Sequence, residues 1–488
     1  MNIKRTLAFI LCFYQFFAFG QIDRVQAVVN EINSSPDFAN AIVSFEVYDT
    51  DSNKVLLAQN NKVSLASASV TKLFSTAAAM SVLGDKTLET RFYVDGELKD
   101  SILYGNLWIR GGGDPALGSR FDPKNDGQTD RSFLSSWVDS IQKYGIKEIR
   151  GAIIGDASDF GYKGCPDGWS WSDIGNAYGA YPGGLAIFDN VVTFRLKMGA
   201  PGTPSELVKT MPFVPGMEFH NYITAGNITG DDSYIYGAPY QNDRIGTGTM
   251  QKYVTINTRG SLPNPEAQVA YEFYKSLTQR GILVDDSVST ARELMYQNSL
   301  YEDRFADTNL LFTYHGTSLF DIVHWTNKRS VNMFAEQMVC LLGYYYNGDG
   351  SHENGMRRLH AFWNNKIPTD GLFLRDGSGL SRSDGITTEQ LCGVLNYMQK
   401  SKYYQPFYES LPIAGVDGTL SHVCRNQAAM RKVHAKSGSM QRIRSYAGYA
   451  VTNSGRHLTF AIVLNNFSCS SYKATLKLQK FMNSLVTL

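Results

Sequence analysis

The chain has 488 residues, 43% hydrophobic and 19% charged, and its 46 Lys+Arg against 45 Asp+Glu leave a formal net charge of +1. That length exceeds one ordinary core and predicts two or three domains, with the composition of a folded rather than a disordered protein. Near-zero net charge removes the basic field on which nucleic-acid binding depends, so no nucleic acid is expected as a partner.

The first twenty residues carry Lys4 and Arg5, then an apolar run from Leu7 to Phe19, with small Ala18 and Gly20 at the −3 and −1 positions of a cut before Gln21. Residues 1–20 therefore read as a secretory signal peptide, the run being short for a membrane span. An uncleaved anchor is the alternative. Cys12 lies inside the run with no small residue before it, a poor lipoprotein pattern. The mature chain is expected to be exported, periplasmic or extracellular, with no stable membrane insertion.

Ile22, Val25, Val28, Val29 and Ile32 recur at helical spacing and predict an opening amphipathic helix. In AIVSFEVYDTDSNKVLLAQN, Val43, Phe45 and Val47 alternate with Ser44, Glu46 and Tyr48 before a DTDSN turn, which predicts a hairpin. SLASASVTKLFSTAAAMSVLG reads as a helix closed by Gly84. Residues 86–289 change texture to short strand-like runs between Gly, Pro and Asn turns, interrupted by one helix, PEAQVAYEFYKSLTQRG. This block reads as a β-rich insertion, with a smaller module nested around 193–252. The last third regains helices, then runs SYAGYAV and HLTFAIVLNNF across an Asn453-Ser454-Gly455 turn into a final amphipathic run from Tyr472 to Val486. A hairpin near the start and three antiparallel strands near the end add up to one five-stranded antiparallel sheet, with the terminal helices over one face. The fold class is α/β, multi-domain, with 21–85 and 290–488 sharing that sheet.

Of six cysteines, removal of Cys12 with the leader leaves an odd number, so at least one is unpaired within the chain. Cys340 and Cys392 lie in helix-like apolar runs and read as buried thiols. No CxxC or Cys/His spacing supports a zinc site, and SHENGMRRLH has Met356 where an HExxH protease needs its second histidine. No metal or cofactor is expected.

Ser69 and Lys72 form an SxxK pair at the start of a helix rich in small residues. At i, i+3 the two side chains share a face. A lysine that is buried near other cations loses its proton more easily and acts as a base toward serine. SxxK alone is a weak signal, since Ser140–Lys143 and Ser470–Lys473 repeat it, and a polar cap before a surface lysine is the plain alternative. Ser330 and Asn332 in KRSVNMFAEQ read singly as a helix cap, and Lys436, Ser437, Gly438 and Ser439 in HAKSGSM as an edge strand. In the order SxxK, SxN, KSG they form the three-part constellation of penicillin-recognising enzymes.

With GGGDPAL, YGAYPGGLAIFDN, LRDGSGLSR and LPIAGVDGTL, the chain resembles the class C low-molecular-mass penicillin-binding proteins, the D-alanyl-D-alanine carboxypeptidase/endopeptidase family of penicillin-binding protein four. The resemblance covers nearly the whole mature chain. It implies a transpeptidase-like domain of the DD-peptidase/β-lactamase type, with inserted domains in the roughly 260 residues between Lys72 and Ser330. It also implies roles: Ser69 the acylated nucleophile, Lys72 its base, and Ser330 and Asn332 partners of the lysine network and the substrate peptide. Lys436, Ser437, Gly438 and Ser439 line the substrate, and the backbone N–H groups of Ser69 and Ser439 form the oxyanion hole. Peptidoglycan stem peptides and β-lactams are the implied partners. Two departures are the valine of Ser-Val-Asn and Ser437 where threonine is usual; neither removes a reacting group. A β-lactamase or esterase on the same fold, and a weakly catalytic wall-binding or β-lactam-sensing protein, are the alternatives. The carboxypeptidase/endopeptidase balance and the oligomeric state stay open.

The remaining candidates read structurally. RGGGDP lacks the Lys-Ser/Thr of a P-loop, Asp376, Ser378 and Arg382 sit in a tight loop, His434 is a packing histidine beside Lys436, and Asp231-Asp232 is a solvated turn.

Overall fold

In the computed structural model, which describes residues 23–125, 129–285, 288–300 and 302–488, strands Ile42–Asp49 and Lys54–Gln59 close a hairpin through a turn that puts Asn53 at φ +53°. The signal-peptide reading of residues 1–20 lies outside the described residues. The chain divides into two compact units: Met1–Ser81 with Val323–Ser330 and Leu359–Leu488, and Val82–Ile322 with Val331–Arg358.

The first unit is built on one five-stranded antiparallel sheet, in the order Val433–Met440, Ile443–Val451, His457–Asn465, Ile42–Asp49, Lys54–Gln59. Phe45 sits opposite Ile462, and Lys436 opposite Ala447. A helix over residues 23–33 and the terminal helix Ser471–Leu485 cover one face, where Val25, Val29 and Ile32 meet Phe45, Phe460, Phe481 and Met482 in a continuous core. The odd-numbered residues of the first strand point into that core, as their alternation predicts. Ser44 and Glu46 on the opposite face are buried as well, because helix Thr388–Gln399 covers them: Ser44 Oγ and Thr388 Oγ1 are 3.0 Å apart, and Cys392 Sγ is 3.7 Å from the Glu46 carbonyl. The polar stripe therefore serves a second packed layer rather than solvent.

Helix Lys72–Leu83 is buried from Lys72 through Met80, and Gly84 at φ +65° follows its end. Three consecutive alanines, Ala77–Ala79, let neighbours approach, and the Phe74 ring meets that of Trp363 edge-on at 5.6 Å. All five cysteines among the described residues are free, with Cys340, Cys392 and Cys424 buried.

The second unit carries a seven-stranded mixed sheet around the hairpin Thr87–Lys99 and Ile102–Gly111, a three-stranded sheet and a four-stranded sheet among its described residues. Helix Pro265–Gln279 starts on an Asn264 cap whose side chain accepts from Ala267 N, and it packs Phe273 against Phe92 and Trp137. Asp231 and Asp232, read as a turn from sequence, open the strand Asp231–Tyr236 instead. Among the described residues no helix is long and apolar enough to cross a membrane.

Candidate active site

The chemistry in the first unit begins with a strained turn. Ala68, without glycine's freedom, sits at φ +52° and opens a short 3-10 turn, Ala68–Thr71, that runs into helix Lys72–Leu83. The turn is over-determined by its neighbours. Ser67 Oγ and Thr71 Oγ1 are 3.1 Å apart, Thr71 Oγ1 donates to Ala68 O at 2.9 Å, and Ser445 Oγ donates to Ser67 O at 2.6 Å. Ser69 thus stands half-exposed at the head of a buried helix.

Lys72 is fully buried, and its Nζ donates to Ser69 Oγ at 2.9 Å and to the carbonyl of Ser378 at 2.7 Å. The second acceptor comes from the DGSGLS loop. Asp376, also fully buried, accepts from the amides of Ser378, Gly379 and Ser381 at 3.2, 2.6 and 2.7 Å and so folds the loop around its carboxylate. Gly379, at φ +79°, presses on the Ala68–Thr71 turn: a Cβ there would meet Ala68 O at 2.1 Å. Ser75 Oγ completes the seam by donating to Gly377 O at 2.8 Å. Sequence reading marked this loop as a tight turn but did not assign it the lysine's acceptor; the DGSG signature was the available signal.

Lys436, buried on the edge strand Val433–Met440, donates to Ser330 Oγ at 2.8 Å and to Ser437 O at 2.9 Å. Burial, and secondarily the charge of Lys72, hold its ammonium well below the usual lysine range. Ser330 itself sits at φ +60°, just past the end of helix Leu319–Arg329. Ser437 Oγ donates to Thr419 Oγ1 at 2.7 Å, a partner that sequence reading missed although it lies in the quoted GVDGTL segment. Gly438 explains its own identity: a Cβ there would meet Ser445 Oγ at 2.1 Å, Ser67 O at 2.6 Å and Ser69 N at 3.2 Å. The strand therefore lies directly against the Ala68–Thr71 turn, and Ser439 is exposed just beyond it. His434 stacks on Tyr408 at 4.1 Å, in keeping with its packing role.

Asn332 opens helix Asn332–Asn347 in the second unit, and its side-chain amide donates to the carbonyl of Tyr178 at 2.8 Å. The structure thus brings Ser69, Lys72, Ser330 and Lys436 to Ser439 together in one unit, and places Asn332 two residues from Ser330 along the chain.

The other SxxK pairs behave differently. Ser140 Oγ donates into its own helix, to Ser136 O at 3.0 Å. Ser470 caps the terminal helix, accepting from Lys473 N at 3.3 Å. Sequence reading did not single out Glu218, His220 and Asp243, which gather on two paired strands of the second unit with His220 Nε2 2.8 Å from Asp243 Oδ1.

A serine hydroxyl held by a buried lysine one turn away, beside a second buried lysine on the edge of an antiparallel sheet, is an arrangement suited to serine acyl transfer. The chain belongs to the D-Ala-D-Ala carboxypeptidase 3 (S13) family, whose model matches residues 25–486, and it is a serine-type D-Ala-D-Ala carboxypeptidase. It is 26% identical to the D-alanyl-D-alanine carboxypeptidase DacB of Haemophilus influenzae over 91% of this chain and 92% of that protein. It is also 26% identical to the D-alanyl-D-alanine carboxypeptidase of Actinomadura sp., over 92% of this chain and 82% of the other. The crystal structure of Haemophilus influenzae penicillin-binding protein 4 shares the fold, with a TM-score of 0.78 at 22% identity over 94% of this chain and 98% of that one.

Proposed function

We propose that Ser69 is the nucleophile of a peptidoglycan DD-peptidase and that Lys72 is its base. One observation carries this reading: Lys72 Nζ, fully buried, lies 2.9 Å from Ser69 Oγ, a distance suited to direct proton transfer. In the proposed course, Lys72 takes the Ser69 proton as Oγ attacks the carbonyl between two D-alanines. The resulting oxyanion is met by the backbone N–H groups of Ser69 and Ser439, donors worth on the order of a few kcal/mol each. The proximity of Gly438 to Ser69 N supports that pairing. The C–N bond then breaks, and the terminal D-alanine leaves after its amine takes a proton through Ser330. Water hydrolyses the Ser69 ester, with Lys72 again accepting the proton. Lys436 contributes positive charge, Ser437 and Ser439 hold the terminal carboxylate, and Asn332 holds the substrate peptide.

A β-lactam opens on Ser69 by the same attack, and its tethered ring fragment blocks the water. Cleavage of D-alanyl cross-links follows from the same bond chemistry, which makes endopeptidase action part of the proposal. The leader-like pattern of residues 1–20 and a peptidoglycan substrate support a periplasmic location.

The experiment mixes the mature protein with a pentapeptide ending in D-Ala-D-Ala and measures free D-alanine, with fluorescent penicillin followed by intact-mass analysis in parallel. Label on Ser69 together with released D-alanine is the expected result. Rapid loss of label as hydrolysed penicillin makes the protein a β-lactamase instead. Unaltered activity in Ser69→Ala overturns the assignment.

A further inference from the structure

Three side chains with metal-ligand chemistry meet in the second unit, on residues that the peptidase reading does not use. Strand Glu218–Asn221 pairs in parallel with the start of strand Asp243–Gln251, with Glu218 opposite Asp243 and His220 opposite Ile245. Opposed residues share a face of a sheet, as do residues two apart, so Glu218, His220 and Asp243 project to one side. The other side is the packed one: Arg244 is fully buried there, and Phe219 stacks on Phe194 at 4.2 Å. The imidazole and both carboxylates therefore face solvent, with 42% of the His220 side chain, 74% of Glu218 and 63% of Asp243 exposed, so an ion reaches them from water.

The donor atoms are already close. His220 Nε2 lies 2.8 Å from Asp243 Oδ1 and 4.0 Å from Glu218 Oε2, and the three donors all fall within 4.8 Å of one another. Bonds of about 2.1 Å to nitrogen and oxygen at tetrahedral angles put donors about 3.4 Å apart. The two histidine distances bracket that value, and rotation of exposed side chains closes such a gap without moving the strands. The backbone beneath is fixed. Arg244 Nη1 donates to the carbonyls of Asp243 and Gln241 at 2.8 Å each, and its Nε donates to Ser261 O at 2.9 Å. Glu218 N donates to Asn242 O at 3.3 Å and Tyr222 N to Gly246 O at 2.8 Å, which ties both ends of the pairing.

A plain ion pair between His220 and Asp243 accounts for one carboxylate only. Glu218 stands directly opposite Asp243 in the register, and like charges so placed destabilise a sheet. A divalent cation between them relieves that repulsion, and the imidazole nitrogen favours a transition ion over Mg2+ or Ca2+, which take oxygen donors. We infer that Glu218, His220 and Asp243 form a three-ligand site for Zn2+, with water completing the coordination. The ion clasps strand Glu218–Asn221 to strand Asp243–Gln251, a pairing of four residues, and parallel pairing is the weaker kind. The role is structural, and it stands or falls independently of the peptidase reading.

The test titrates Zn2+ into the metal-stripped mature protein by calorimetry, with thermal melts in parallel. One equivalent bound saturably, with a rise in melting temperature, is expected. Loss of a residue that merely supports a metal ligand costs about tenfold to a hundredfold in affinity, so His220→Ala, Glu218→Gln and Asp243→Asn should each weaken binding at least about tenfold. His457→Ala, which alters a surface histidine 3.3 Å from Asp51 Oδ1, should leave binding unchanged. Without zinc, Glu218→Gln should melt no lower than the wild type, because it removes a repulsion. A lower melt there overturns the inference by giving Glu218 a stabilising role without an ion. Absence of uptake at micromolar Zn2+ overturns it too, as does uptake that survives His220→Ala or falls equally in His457→Ala.

Discussion

Gly438→Ala tests whether the edge strand sets the position of Ser69, the proposed nucleophile. The added Cβ would stand 2.1 Å from Ser445 Oγ, 2.6 Å from Ser67 O and 3.2 Å from Ser69 N, where ordinary contact begins at 3.4 Å. The serine hydroxyl can rotate away, but Ser67 O is backbone, one peptide from the strained Ala68 turn that carries Ser69. Strand and turn must separate by something near an ångström. Overpacking of this kind costs about 1–3 kcal/mol of stability. A displacement of about 1 Å at a reacting group costs about a hundredfold in rate. The assay is the second-order rate of Ser69 acylation by fluorescent penicillin, with a thermal melt to show that the fold persists. Adding Ser445→Gly removes the shortest contact but leaves the Ser67 carbonyl clash and deletes the Ser445–Ser67 hydrogen bond, so only part of the rate should return. Acylation of Gly438→Ala at the wild-type rate would refute the argument. Complete rescue by Ser445→Gly would refute the claim that the backbone contact decides it.

Ser69→Ala should abolish acylation with no loss of fold, while Ser140→Ala and Ser470→Ala acylate normally; Ser470→Ala should also lose about 1 kcal/mol with its helix cap, read as a lower melting temperature. Thr419→Val removes the acceptor of the Ser437 hydroxyl at 2.7 Å and should raise KM for D-Ala-D-Ala peptides about threefold with little change in kcat, by analogy with one neutral hydrogen bond. Glu266 provides a pH test away from the chemistry. Its buried carboxyl accepts from Ala157 N and Tyr162 OH at 3.0 Å each, has no partner on Oε2, and is pushed by burial from 4.5 up to about 8. Between those values the folded state holds a proton that the unfolded state has released, so stability falls as pH rises. Glu266→Gln, which mimics the protonated acid, should match the wild type near pH 5 and exceed it by on the order of a few kcal/mol near pH 9. A difference in melting temperature that stays constant across this range would contradict the reasoning.

Much of this protein is legible without coordinates where a signal is local. The hairpin Ile42–Gln59 follows from period-two alternation around a turn, the helices Pro265–Gln279 and Thr388–Gln399 from their helical period, and the three signatures proposed as catalytic from short fixed spacings. The resemblance carried by longer segments placed those signatures in one family, which the match over residues 25–486 bears out. Local signals are limited in reach, however. Alternation in Ile42–Asp49 separates two faces but does not show that Thr388–Gln399 covers the polar one. On paper the three SxxK pairs share one spacing and differ only in their surroundings, the small-residue helix around Ser69 setting it apart, because spacing encodes neither burial nor direction. Tertiary packing separates them by enclosing Lys72 against Ser378 O and leaving Ser140 and Ser470 to their own helices.

What the sequence by itself determined is the family and the order of the elements that carry its three signatures, since side-chain chemistry and short-range periodicity are properties of the chain alone. The tertiary structure decided how these groups meet. A buried lysine's acceptors, a glycine's neighbours and the partner of an edge strand come from segments far apart in sequence, as Lys72 with Ser378, Gly438 with Ser67 and Ile235 with Asn176 show. Such pairs are set by the packing of whole elements, and no window along the chain contains both members.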